Sequence, residues 1–130
     1  MSPVKMSRIE SAVRVVIRLI DAINTHDIGQ MESLFDDDVV FEDAHAGNSP
    51  AITGRTAVVS YLEQLLVKVP ELSVETEELI GFGNRCILRW LARWDEKQNA
   101  QPVRGLTLFQ IRNDRLTEIL SYEKHKASKD

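Results

Sequence analysis

Residues 34–50, LFDDDVVFEDAHAGNSP, decide how the rest of the chain is read. Leu34-Phe35 closes a helical pattern, Asp36-Asp37-Asp38 follows as a polar turn, and Val39 to His45 opens like a strand, with β-branched and aromatic residues. Side chains alternate along a strand with a period of two, so Phe41, Asp43 and His45 share one face. Here an apolar strand runs straight into an aspartate and a histidine spaced by two. The aspartate run reads as turn chemistry. A hard cation needs oxygen ligands spread round a tight loop with a turn glycine, and this run offers neither, so no metal is expected. Ala46 to Ile52, rich in Gly, Asn, Ser and Pro, reads as loop.

Upstream of this stretch the period is helical. Met1 to Met6 reads as a frayed leader, and Ser7 with Glu10 has the capping-box spacing that starts a helix. Ile9, Ala12, Val13, Val16, Ile20 and Ile23 then recur on one face. Asn24-Thr25-His26 breaks that helix, with His26 an exposed linker residue, and Asp27 caps a second, shorter one with Gln30 in the third position. Downstream, Thr53 to Thr56 opens a third helix with Val58, Tyr61, Leu62, Leu65 and Val69 inward and Pro70 at its end.

From Leu72 the period changes to two. Leu72, Val74, Thr76, Ile80 and Phe82 are expected on one side of a strand, and Gly83-Asn84 turns it. The next strand, Arg85 to Trp94, alternates Cys86, Leu88, Trp90, Ala92 and Trp94 against Ile87, Arg89, Leu91 and Arg93. A polar turn over 95–101, a strand over 103–112, the turn Asn113-Asp114 and a last strand over 116–123 complete a meander. A sheet of this kind must cover one face, and three helices are the layer available to it. The expected fold is α+β: a curved, mainly antiparallel sheet curling over helices into a cone with one open end.

Composition excludes several functions. The 130 residues, 43% hydrophobic, suit one domain with a substantial core. A net charge of −4 leaves no basic footprint for nucleic acid, and the basic cluster after Glu123 reads as a solvated end. No apolar run reaches the ~20 residues of a membrane span, and no signal-peptide core opens the chain, so a cytoplasmic protein is expected. A lone cysteine, Cys86, allows neither an internal disulfide nor a four-cysteine zinc site, and its apolar neighbours make it a core residue.

Three segments carry a family resemblance: INTHDIGQMESLFDDDVVFEDA, TGRTAVVSYLEQLL and RGLTLFQIRNDRLTEI. They resemble the nuclear transport factor 2-like superfamily, in its SnoaL-like and ketosteroid isomerase-like branch, over roughly Ser7 to Glu123. The resemblance implies a cone-shaped α+β fold, a small apolar or aromatic ligand in the cone, no cofactor, and a homodimer through the outer sheet face. It places Asp43 where ketosteroid isomerases keep their general base, and an aspartate in an apolar cavity would have the raised pKa such a base needs. The isomerase's oxyanion donors are replaced by Leu19 and Thr107. The aspartate relay of limonene epoxide hydrolases is broken at Ser121. SnoaL-like cyclases carry an aspartate and histidines in the cavity, residue types that Asp43 and His45 supply from one strand.

Period two extends the candidate site across the sheet. Phe41 and His45 would face inward with Asp43, Phe109 with Thr107, and Ser121 with Glu123. Trp90 and Trp94 would form flat apolar walls with indole N–H donors, or simply fill core. Asp43 is either a base or a cap for the following loop, and His45 either assists it or is a loop residue. Glu123 is either a second acid at the mouth or a strand end, and Tyr61 reads more readily as core than as a ligand contact. Ile87, Leu91, Leu106, Leu108, Leu120 and Tyr122 fall on the opposite face, where an uncovered apolar surface invites a second copy. The functions left open are cofactor-free isomerisation, cyclisation or dehydration, and ligand binding without turnover.

Overall fold

The computed structural model describes residues 8–42, 50–94 and 101–124. Ser7 of the capping box, together with Asp43 and His45, lies outside the described residues. Helices α1 (Arg8–Asn24), α2 (Ile28–Leu34) and α3 (Arg55–Lys68) pack on a six-stranded sheet of β1 (Phe35–Glu42), β2 (Ile52–Thr53), β3 (Ser73–Phe82), β4 (Arg85–Arg93), β5 (Val103–Arg112) and β6 (Arg115–Glu123). The strand order is β2-β1-β6-β5-β4-β3. Only β1 and β6 are parallel; the other pairs are antiparallel. The sheet does not close on itself, and with the helices it forms the α+β cone expected from the sequence.

The helical stripe of α1 turns Ala12, Val15, Val16, Leu19, Ile20 and Ala22 into the core, while Arg14, Ile17 and Arg18 face away. Asp27 caps α2 as expected, its carboxylate accepting from the Gln30 N–H at 3.0 Å. The chain reverses between α1 and α2 through His26, which is exposed and left-handed at φ 56°. Fully buried Phe35, Met31, Leu88 and Leu116 join helices to sheet.

Two strands differ from the alternation read in the sequence, each because of a bulge. In β1 the aspartates do not form a turn before the strand. They lie inside it, where the register against β6 jumps from Phe35↔Leu116 to Val40↔Glu118. The extra residues are held by turn-like bonds: Asp36 accepts from the Asp38 N–H at 3.0 Å, and Asp37 pairs with Arg55 at 2.9 Å. In β3 the register shifts between Thr76 and Glu78. Leu79 therefore turns inward, and Ile80 and Phe82, expected on the same side as Leu72 and Val74, are 46% exposed on the outer face. Arg104 holds the bulged Glu77 at 3.1 Å and Arg89 holds Glu78 at 3.4 Å, so charge covers this part of the edge strand.

One side chain ties α1 to that edge. Asn24 accepts from the Val74 N–H at 2.7 Å and donates to the Val74 carbonyl at 2.8 Å, pairing with the strand as a neighbouring backbone would. Asn24→Ala removes both bonds. Urea denaturation is expected to show a loss of about 1–2 kcal/mol with an unchanged m-value.

Candidate functional site

Three small helices cannot fill the inner face of six strands, and a hollow of about 370 Å³ remains between them. Leu19, Ile20 and Ile23 of α1 form one wall, and Leu62, Leu65 and Leu66 of α3 another. The sheet supplies Phe41 from β1, Leu88 and Trp90 from β4, Thr107 and Phe109 from β5, and Ile119 and Ser121 from β6. No side chain among the described lining residues ionises in the physiological range. The volume is at the small end of the range for ligand pockets.

The polar content of the hollow is concentrated in a line crossing three strands. Trp90 stands directly opposite Gly105 on β5. A Cβ at position 105 would overlap the indole ring, so glycine is what lets Trp90 lie across the neighbouring strand. From there the Trp90 Nε1–H donates to Thr107 Oγ1 at 2.9 Å. Thr107 is opposite Ser121 on β6, and their hydroxyl oxygens are 2.8 Å apart in a second hydrogen bond. Thr107 is only 5% exposed, the one buried polar side chain among the described residues. A hydroxyl at that depth costs stability unless it is hydrogen-bonded, and the two bonds supply this.

Six residues nominated by the sequence surround the hollow: Phe41, Trp90, Trp94, Thr107, Phe109 and Ser121. Tyr61 is not among them; its ring packs against Phe41 with centroids 5.6 Å apart and a 45° tilt. Glu123 lies opposite Gly105, beyond Ser121, with one carboxylate oxygen buried. Asp43 and His45 fall outside the described residues. Cys86 is fully buried, and burial pushes its thiol pKa up, so it is a neutral core group as its neighbours suggested.

Sequence reasoning missed the helical walls. Ile20, Ile23, Leu62 and Leu65 read only as buried helical stripes, because an apolar stripe looks the same whether it faces side chains or a hollow, and Leu66 was not singled out. It also counted Thr107 and Ser121 as lost donors without joining them to each other.

The SnoaL-like domain family matches residues 16–119. The chain belongs to that family. Solved structures agree on the fold. A nuclear transport factor 2-like protein of unknown function from Mesorhizobium loti superposes with a TM-score of 0.79 at 23% identity, covering 96% of this chain and 100% of that one. A SnoaL-like protein of unknown function from Burkholderia thailandensis gives 0.73 at 21% identity, covering 88% and 95%. An LEH-like epoxide hydrolase from Mycobacterium tuberculosis gives 0.73 at 16% identity, covering 88% and 83%. At these identities they share the fold of this SnoaL-like chain, and their chemistry is their own. A comparison with curated proteins finds no match.

The seating of Trp90 on Gly105 gives a direct test. Gly105→Ala is expected to cost about 1–3 kcal/mol through overlap with the indole. In a Trp90→Leu background the same change should cost less than half as much, as thermal or urea unfolding of the double-mutant cycle would show. Additive costs would mean that the ring does not depend on the glycine.

Proposed function

We propose that this SnoaL-like domain binds a small, neutral, ring-bearing apolar metabolite in the hollow of its cone. The observation that carries this is the lining itself: about 370 Å³ enclosed by aliphatic and aromatic side chains, with no ionisable group among the described ones. A charged ligand would lose its hydration there without a partner, whereas a flat apolar one gains from every wall. Trp90 and Trp94 suit the faces of a ring.

On this proposal Asp43 is the base of a cofactor-free isomerisation, cyclisation or dehydration, with His45 assisting. The support is its place in the chain, two residues after Phe41, whose ring faces the hollow. The fold's neighbours include an epoxide hydrolase as well as proteins of unknown function, so the fold is compatible with enzyme and binder alike. The absence of ionisable groups from the described lining favours a second reading, a binding domain that holds its ligand without turnover.

Asp43→Asn separates the two. Against a panel of apolar cyclic ketones and phenols, both proteins are expected to show the same ligand-induced rise in Tm. Turnover is expected to fall about 10²- to 10⁴-fold in the variant, the range for loss of a general base. Equal turnover by both proteins, or none by either, would leave the binding role alone.

We also propose a homodimer through the outer sheet face, and a cytoplasmic location in keeping with an acidic chain bearing one cysteine. Ile80, Ile87, Leu108 and Leu120 are register partners that form one apolar row across β3 to β6. Phe82 and Tyr122 extend it at 46% and 56% exposure. An isologous contact would cover this row with its own copy. Sedimentation equilibrium is expected to give twice the 14.8 kDa chain mass, and Leu108→Asp to return it to one. A monomeric wild type would overturn the assembly.

A further inference from the structure

The geometry points to a further role for Asn24: its side chain is a latch on the mouth of the hollow, which opens for a ligand to enter or leave. The inference rests on the binding role proposed above and concerns how that site is reached. The hollow has a sealed end and an open one. At the sealed end Leu88, Phe109 and Ile119 are no more than 4% exposed. At the other end Ile23, Val69, Leu72, Val74, Trp94 and Val103 line the hollow and are only half-buried. Together they form an apolar rim drawn from α1, the connection between α3 and β3, and the neighbouring ends of β3, β4 and β5.

Two walls of this rim, α1 and β3, are a helix and an edge strand, so no backbone ladder joins them. Val74, opposite Ala92 on β4, directs both its N–H and its carbonyl away from that partner, as alternate residues of an antiparallel pair do. The Asn24 amide meets both groups, at 2.7 Å and 2.8 Å. On the inner side of the same seam the side chains of Ile23 and Val74 line the hollow. The paired bonds thus lie directly over the joint that sets the width of the mouth.

The chemistry of this pair suits repeated opening. A side-chain amide carries a donor and an acceptor side by side, so one residue satisfies both groups of Val74. Both bonds are exposed, and water replaces them when they break, so parting them costs far less than parting a buried pair. Val74 stays on its ladder to β4, and the Leu72 N–H ties the strand's entry to the Val69 carbonyl at 3.1 Å. Asn24, by contrast, is the last residue of α1, and helix ends open at little cost. The moving part is the end of α1, and β3 is the jamb it closes against.

Stopped-flow fluorescence with N-phenyl-1-naphthylamine, a neutral ring-bearing probe that brightens in apolar surroundings, reads entry and exit directly. Asn24→Ala is expected to raise the association and dissociation rate constants together, by about 5- to 30-fold, with Kd changed less than about threefold. Thr117→Val is the control for lost stability. It removes the bond from the Thr117 hydroxyl to the Gln110 carbonyl, far from the mouth, and should lower Tm while both rates stay as in wild type. Asn24→Asp keeps the acceptor but turns a lone pair toward the Val74 carbonyl. It should match Asn24→Ala at about pH 7 and move back toward wild type near pH 4, where protonation restores the donor.

Wild-type rates in Asn24→Ala despite a lowered Tm would overturn the latch and leave the apolar binding role standing. So would equal acceleration in Thr117→Val, which would tie the rates to global stability. A rise in dissociation alone, with Kd weakened in proportion, would also overturn it and make Asn24 a support for the lining. Failure of wild type to bind the probe would remove the binding role and the latch together.

Discussion

A tryptophan laid across a glycine sets the inner surface of this sheet. Trp90 has register partner Gly105, and only the absence of a Cβ there lets the indole reach over β5 to Thr107. With a larger residue at 105 the ring would have to rise into the hollow, taking its N–H away from the Thr107 hydroxyl that receives it. The glycine therefore determines both the depth of the hollow and the polarity of its floor. Thr107 depends on the same contact, because a hydroxyl buried this deeply is tolerable only while its hydrogen bonds persist.

The two bulges distribute residues between the faces of the sheet. In β3, one extra residue near Glu77 reverses the alternation, so that Val74 faces the hollow while Ile80 and Phe82 join the outer face. Inner apolar content is thereby limited to what α1 can cover, and outer apolar content grows. The Asn24 side chain holds Val74 on the unpaired side of this edge strand, which keeps β3 against α1 although no seventh strand follows it in the described sheet. Of the arginine–glutamate pairs at the bulge, Arg89–Glu78 is exposed and adds little stability while Glu77 is partly covered, and both keep charge beside an edge that could otherwise pair with another chain.

Much of this was legible in the residues. The Asp27 cap, the turn at Asn113-Asp114 and the bounds of β5 follow from local chemistry that does not depend on the rest of the fold. The bulges were not legible, because a polar run carries no mark of an inserted residue: Thr76, Glu77 and Glu78 suit either face of an edge strand. The two-residue strand β2 was hidden between a loop composition ending at Ile52 and a helix start read at Thr53, since its partner β1 supplies the pairing that its own sequence does not demand. The family resemblance pointed to Thr107 and Ser121 as cavity positions, but pairing them required the register of β5 against β6, a property of two strands together.

Binding and proton transfer make different demands on the same hollow, and the described lining meets only the first. Aliphatic walls and indole faces are suited to hold a ligand by area, and a neutral hydroxyl can orient one. Neither Thr107 nor Ser121 can act as a base near neutral pH, because a hydroxyl gives up its proton only to a stronger base beside it. A reaction in this cone therefore needs an ionisable group from beyond the described lining, and the chain places Asp43 directly after the strand that contributes Phe41. The surroundings sharpen what that carboxylate would have to be. A carboxylate reaching an apolar hollow would have its charged form disfavoured and its proton affinity raised, which is what a base toward a carbon acid requires. A neutral hydroxyl line would suit such a group better than a cation, whose ion pair would return the carboxylate to ordinary acidity.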